Sequence, residues 1–183
     1  MVRNEKTRKL TRLAMLSAVS VVLVALIHLP IFPAAPYLKY DPADIPILIA
    51  TFLYGPWYGV AVTVVVSLIQ GLTVSADGGV IGIVMHILAT GAVCIVAGYI
   101  YKARHTLRGA IVALAAGTLT MAAVMAGCNL LLTPLYTGLP VAEVAKLIVP
   151  VILPFNLLKA GINSVVTFFV YKPISRLFAH DAK

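Results

Sequence analysis

The chain has 183 residues, of which 61% are apolar and only 11% charged, with a net charge of +8. A soluble domain averages nearer 45–50% apolar and about 25% charged, and a mean hydropathy of +1.02 leaves more apolar surface than a water-soluble globule of this size can hide. The composition excludes a soluble enzyme, a disordered chain and a disulfide scaffold; it predicts an all-α integral membrane protein in one bundle, with the positive charge marking cytoplasmic loops and not a nucleic-acid surface.

A helix needs about 20 apolar residues to cross a hydrocarbon core of roughly 30 Å. In chain order, a basic head at 1–12 with Arg3, Lys6, Arg8, Lys9 and Arg12 precedes a first apolar stretch at about 13–31. That stretch is longer than the apolar part of a signal peptide and lacks a clear small-x-small cleavage site, so it is expected to be a span. An outer loop at 32–44, rich in Pro and Tyr, leads to a short apolar run at 45–54, which Gly55-Pro56 interrupts because proline lacks the amide proton a helix needs. Further stretches cover 57–74, 79–101, 107–132 and 149–171, and a tail occupies 172–183.

The charges decide the count. Six spans with both termini cytoplasmic place 11 of the 14 Lys and Arg on the inner side, leave Lys39 and Lys146 outside, and put Lys159 within the sixth span. Merging the second and third runs would move Lys102, Arg104 and Arg108 outward, against the positive-inside rule. The second helix is then short or tilted.

Signatures of chemistry are lacking: the chain has no phosphate-cradling G-x-x-x-x-G-K-[ST], no H-E-x-x-H and no C-x-x-C. Cys94 and Cys128 fall at different depths and read as packing residues. His86 has no acidic residue at i±3 or i±4 and is expected to be bonded within the bundle; His28 is expected at the interface. Asp41, Asp44, Asp77 and Glu143 all fall in outer loops, where solvated carboxylates are the default. With no acidic residue at membrane depth, a proton-driven carrier is disfavoured.

The intramembrane polar residues cluster. On the sixth helix, Asn156, Lys159 and Asn163 share a sector about 60° wide. A lysine at this depth either snorkels to the outer surface or lines a wet cavity, and the cavity is the favoured reading. Asn129 lies at similar depth, either facing the same cavity or bonding between helices. On the first helix Ala14 and Ala18, with Ser17 beside them, form a small-xxx-small pair that lets another helix approach closely.

These features together resemble the substrate-binding S component of an energy-coupling-factor (ECF) vitamin transporter of the riboflavin type. The resemblance rests on the basic head with A-x-x-x-A at Ala14 and Ala18, the segment KYDPADIPILIATFLYGP, Asn129 in CNLLLTPLY, and LPFNLLKAGINSVVTFFVYKPIS. It spans nearly the whole chain; the alanine motif is common to S components, while Asn129 with P-F-N-x-x-K points to riboflavin. The resemblance implies a non-enzymatic, multi-pass protein of the prokaryotic plasma membrane with no cofactor and riboflavin as transported ligand. Its implied partners are a transmembrane coupling protein and two ATPase subunits. It also implies that Asn129, Asn156 and Lys159 bond the flavin, that the loop around Leu38 and Tyr40 closes over it, and that Ala14 and Ala18 pack on the coupling protein. An S component for pantothenate or thiamin, or a membrane-embedded enzyme, are the competing readings.

Overall fold

The computed structural model describes residues 2–32, 36 and 38–180, without the side chains of residues 2–4, 77, 136, 179 and 180. Part of the outer loop, at 33–35 and 37, and the end of the tail, at 181–183, lie outside the described residues. Seven α-helices account for most of the chain: α1 (Val2–Leu26), α2 (Asp44–Tyr54), α3 (Pro56–Leu72), α4 (Gly79–Ala103), α5 (Leu107–Thr137), α6 (Val141–Leu147) and α7 (Leu153–His180). The basic head is therefore a helical continuation of the first span, and α7 continues through the tail to His180.

The expectation of an all-helical chain needs one correction. Between α1 and α2 the chain forms a two-stranded ribbon, β1 (Leu29–Pro30) antiparallel to β2 (Lys39–Tyr40), with Leu29 opposite Tyr40. Strands of two residues carry no readable periodicity.

Four helical segments are long and apolar enough to cross a membrane: Glu5–Leu26, Gly79–Ala103, Leu107–Leu135 and Val141–Phe178. The last joins α6 to α7 through a π-helical turn, Ile148–Ile152. Pro154 cannot donate to the Pro150 carbonyl, and the chain responds by widening its step, with Leu153 N–H bonding Ile148 O. The distribution of side chains is that of a protein in lipid. Leu72, Leu131 and Phe169 are 70% or more exposed, while Thr63, Thr90, Asn129, Asn163 and Thr167 are fully buried.

The short α2 is a core helix. Eight of its 11 residues are buried, from Asp44 to Phe52, and it packs against α1, α3, α4 and α7. A run of this length that is apolar all round needs no lipid contact, because neighbouring helices cover it. Gly55 ends it at φ +106°, a conformation that side chains resist, and Pro56 starts α3 where its missing N–H has no intrahelical partner to lose. Close packing then depends on small residues. A Cβ on Gly98 of α4 would lie 2.9 Å from the Pro56 Cα, and one on Gly59 would overlap the Thr51 hydroxyl.

Backbone at the Gly98 contact cannot yield as a flexible side chain would. Gly98→Val is expected to lower stability by about 1–3 kcal/mol, read as a fall in the thermal midpoint of detergent-purified protein. Gly127→Ala, where nothing lies within 4 Å, should hold or slightly raise it. Equal midpoints for the two variants would refute the close-packing account.

Candidate ligand-binding site

At the end of the bundle that carries the ribbon, a cavity opens between α3, α4, α5 and α7. Asn129, Asn156, Lys159 and Leu38 all line it. Helical periodicity puts Asn156 and Lys159 on one face of α7, and α5 packs alongside to bring Asn129 to the same space. Tyr40 is not in the lining; its hydroxyl donates to Asn163 Oδ1 at 3.2 Å. Burial, and then the Asp41 carboxylate, push the Tyr40 phenol above its ordinary value, which keeps it a donor. Leu38 is buried with Val144, Val151, Ile152 and Phe155, so the ribbon is seated on the turn between α6 and α7.

The two cavity asparagines are each held by their own helix. Asn129 Nδ2 donates to Met125 O at 2.8 Å, and its Oδ1 accepts from Thr133 Oγ1 at 2.9 Å. Asn156 Nδ2 donates to Ile152 O at 2.8 Å. These bonds fix the amide planes and leave further donor and acceptor capacity on both groups.

The carboxylates contradict the expectation of solvated loop residues. Asp41 is 8% and Asp44 2% exposed. Lys159 Nζ lies 2.7 Å from Asp41 Oδ2, so the lysine pairs within the bundle and does not snorkel. Asp41 Oδ1 accepts from Ala43 N–H, closing the turn into α2. Asp44 occupies the first turn of α2, where the helix dipole favours an anion. It accepts from Thr90 Oγ1 at 2.8 Å and from Asn163 Nδ2 at 3.2 Å, and its Oδ1 lies 3.4 Å from His86 Nε2. Asn163 Nδ2 also reaches Asp41 O at 3.2 Å. A buried acidic residue is therefore present within the bundle, supplied by the start of α2. The acidic neighbour that His86 lacks at helical spacing comes from another helix.

Sequence reasoning missed a second polar group. Ser67 and Gln70 on α3, His86 on α4, and His28 and Ser75 at the mouth all line the cavity. Thr63, Ser67 and Gln70 form a buried polar stripe on an otherwise apolar helix, a pattern legible in principle. Elsewhere, Glu143 pairs with Lys146 on the surface; Asp77 has no described side chain. Cys94 and Cys128 are both free and buried. On α1, Leu16, Ser17 and Ser20 face the bundle, whereas Ala14 and Ala18 are exposed. Among the described residues no group of His, Cys, Asp and Glu is placed to hold a metal.

A lipid-facing helical bundle with a buried, polar, charge-paired cavity near one end is a membrane-embedded binding protein. Comparison with known proteins narrows this. Residues 8–171 match the family described as ECF transporter, substrate-specific component. The chain is 32% identical over 143 residues to the riboflavin transporter FmnP of Bacillus subtilis (strain 168), covering 74% of this chain and 75% of that one. It is also 32% identical over 146 residues to the riboflavin transporter RibU of Staphylococcus aureus (strain TCH60), covering 76% of each. A solved S component of a bacterial ECF transporter superposes with a TM-score of 0.78 at 30% identity, covering 94% of this chain and 98% of that one. The chain belongs to the family of ECF transporter S components, which are transport proteins and not enzymes.

The buried ion pair yields a test. Removing one partner strands the other charge, so Lys159→Met is expected to cost about 3 kcal/mol of stability, and adding Asp41→Asn should restore most of it. Thermal midpoints of the single and double variants measure this; an unchanged midpoint in Lys159→Met would show that the pair carries no structural role.

Proposed function

We propose that this chain is the riboflavin-binding S component of an ECF transporter, capturing the vitamin outside a prokaryotic plasma membrane for ATP-driven delivery to the cytoplasm. The observation that carries this reading is the convergence of Asn129, Asn156 and Lys159 on one cavity, in a chain similar to two riboflavin transporters. The topology proposed with it has six spans, α2 and α3 being the short ones, and both termini cytoplasmic. Lys102, Arg104 and Arg108 then sit inside, at the α4–α5 junction, and the cavity and ribbon lie at the outer end.

The chemistry suits a flavin. The pyrimidine edge of the isoalloxazine presents carbonyl, N–H and carbonyl in a row, and a carboxamide offers both an acceptor and donors to adjacent members. Lys159 supplies donors to a carbonyl oxygen while retaining Asp41. Met121, Met125 and Ala89 line the space between the polar walls and give the flat ring an apolar bed. Leu38, seated on the α6–α7 turn, and Tyr40 close over the ligand from the ribbon. The energy source is external: a transmembrane coupling protein and two ATPases, onto which Ala14 and Ala18 dock. ATP hydrolysis there would tip the S component and turn the cavity inward.

Purified protein titrated with riboflavin, with flavin fluorescence as the signal, tests the capture step. Asn129→Leu and Asn156→Leu should each weaken binding by about 1–3 kcal/mol, one to two factors of ten; a wild-type protein that binds no flavin refutes the proposal. Docking is tested separately. Ala14→Trp combined with Ala18→Trp should leave binding near wild type but abolish uptake and co-purification with the coupling protein, because a tight helix contact loses its packing over small gaps. Full uptake by that double variant would rule out the alanine face as the docking surface.

A further inference from the structure

A groove of about 480 Å³ opens between α5 and α7 at the other end of the bundle. It is lined by the end of α4, the start of α5 and the later part of α7, whereas the cavity takes the opposite ends of the same helices. Its floor is aromatic. Phe52 stacks on Tyr101 with ring centroids 4.4 Å apart, and Tyr171 meets both edge-on at 5.6 and 5.7 Å.

The two long walls change polarity in the same direction. On one side the lining runs from His105 and Thr106 through Leu107 to Leu114; on the other it runs from Arg176 and Lys172 to Phe169 and Phe168. Each wall thus passes from polar at the rim to apolar about 10 Å deeper. Leu107 is 63% and Phe169 70% exposed, so the apolar part opens sideways, onto the face that the bundle turns to lipid.

The rim is cationic without compensation. The segments that meet here, 98–118 and 165–180, carry Lys102, Arg104, Arg108, Lys172 and Arg176 and no Asp or Glu. None of the five has an ion-pair partner among the described residues. The N-terminus of the 31-residue α5, capped by Thr106 Oγ1 accepting from Gly109 N–H at 3.0 Å, adds the positive end of a helix dipole with no acidic residue in its first turn.

A ligand that satisfies both gradients carries an anion and an apolar chain in one molecule. Choline and ethanolamine headgroups would bring an ammonium against these cations, whereas a glycerol phosphate headgroup brings a net negative charge and hydroxyls. We infer that the α5–α7 groove is a binding site for an anionic phospholipid, its phosphate beside Lys172 and Arg176 and the start of an acyl chain over Phe168 and Leu114. The topology proposed above puts this lipid in the inner leaflet, where basic pockets between helices meet anionic headgroups. It would tie the α4–α5 junction to α7, which no ion pair among the described residues does.

The experiment titrates delipidated protein in neutral detergent with dioleoylphosphatidylglycerol or dioleoylphosphatidylcholine and counts bound lipid by native mass spectrometry. The anionic lipid should fill one site at about tenfold lower concentration than the zwitterionic one. Lys172→Gln combined with Arg176→Gln should abolish that preference. Lys6→Gln combined with Lys146→Gln, which removes the same charge outside the groove, should keep it. Both pairs are exposed, so thermal midpoints without lipid should stay near wild type and certify the fold. Glycerol 3-phosphate, a headgroup without chains, should not displace the bound lipid; displacement would make the groove a site for a small soluble anion and overturn the lipid assignment. Equal binding of the two lipids by wild type would overturn it, as would a preference that survives in the Lys172 and Arg176 variant or is lost equally in the Lys6 and Lys146 variant. The titration needs no vitamin and no orientation, so its failure leaves the flavin reading standing.

Discussion

The ion pair between Lys159 and Asp41 joins residues 118 positions apart, and the arrangement of the cavity follows from it. Both side chains are only 11% exposed, and an unpaired charge so buried is costly. Pairing them brings the turn before α2 onto the second turn of α7. Asn163, one turn further along α7, then reaches both the Asp41 carbonyl and the Asp44 carboxylate, and Tyr40 closes on Asn163 from the ribbon. A single turn of α7 thus holds the ribbon, the turn and the start of α2. With its first turn fixed there, α2 runs into the bundle and α1, α3, α4 and α7 pack round it.

Polarity follows the same logic in reverse of a soluble protein. Apolar side chains as large as Leu131 and Phe169 face outward, while hydroxyls and amides are buried and bonded. Many of these bonds are local: Thr63, Ser67 and Thr167 each donate to the carbonyl four residues earlier, satisfying a buried hydroxyl within its own helix. Apart from the Tyr54 hydroxyl, the buried side-chain atoms without a hydrogen-bond partner among the described residues, Gln70 Oε1 and His86 Nε2, belong to residues that line the cavity. Elsewhere buried hydroxyls are met within their own helix or across a helix pair, as Thr118 and Ser164 are at 3.1 Å.

Much of this was legible in the sequence. The break at Gly55-Pro56 separates α2 from α3 where expected, and the 3.6-residue period placed Asn156, Lys159 and Asn163 on one face. What escaped was tertiary. Periodicity within one helix cannot reveal that Asp44 lies against His86 and Thr90, because those contacts join separate helices. Reading Asp41 and Asp44 as loop residues was correct for Asp41 in chain position and wrong for both in environment, since the turn from Asp41 to Asp44 is buried. The charge on Lys159 held the missing clue: a buried cation requires an anion, and the candidates were the few carboxylates nearby in the topology. The ribbon was beyond reach, as two-residue strands have no pattern to read.

The position of α1 separates two demands that a binding subunit of a larger transporter must meet. It packs chiefly on α2 and α3 and contributes only His28, just beyond its end, to the cavity lining. Its bundle-facing residues, Leu16, Ser17 and Ser20, anchor it, Ser20 by donating to the Ala43 carbonyl at 2.9 Å. The opposite face, with Ala14 and Ala18, is smooth and open. A partner helix seated there would touch neither the asparagines nor the ion pair. Yet α1 is not isolated from the cavity, because Ala43 belongs to the turn that Asp41 closes and that leads into α2. Ser20 thus ties α1 to the backbone that leads from Asp41, the partner of Lys159, into α2. One hydrogen bond therefore joins α1 to the residues that build the cavity, on the side away from the exposed Ala14 and Ala18.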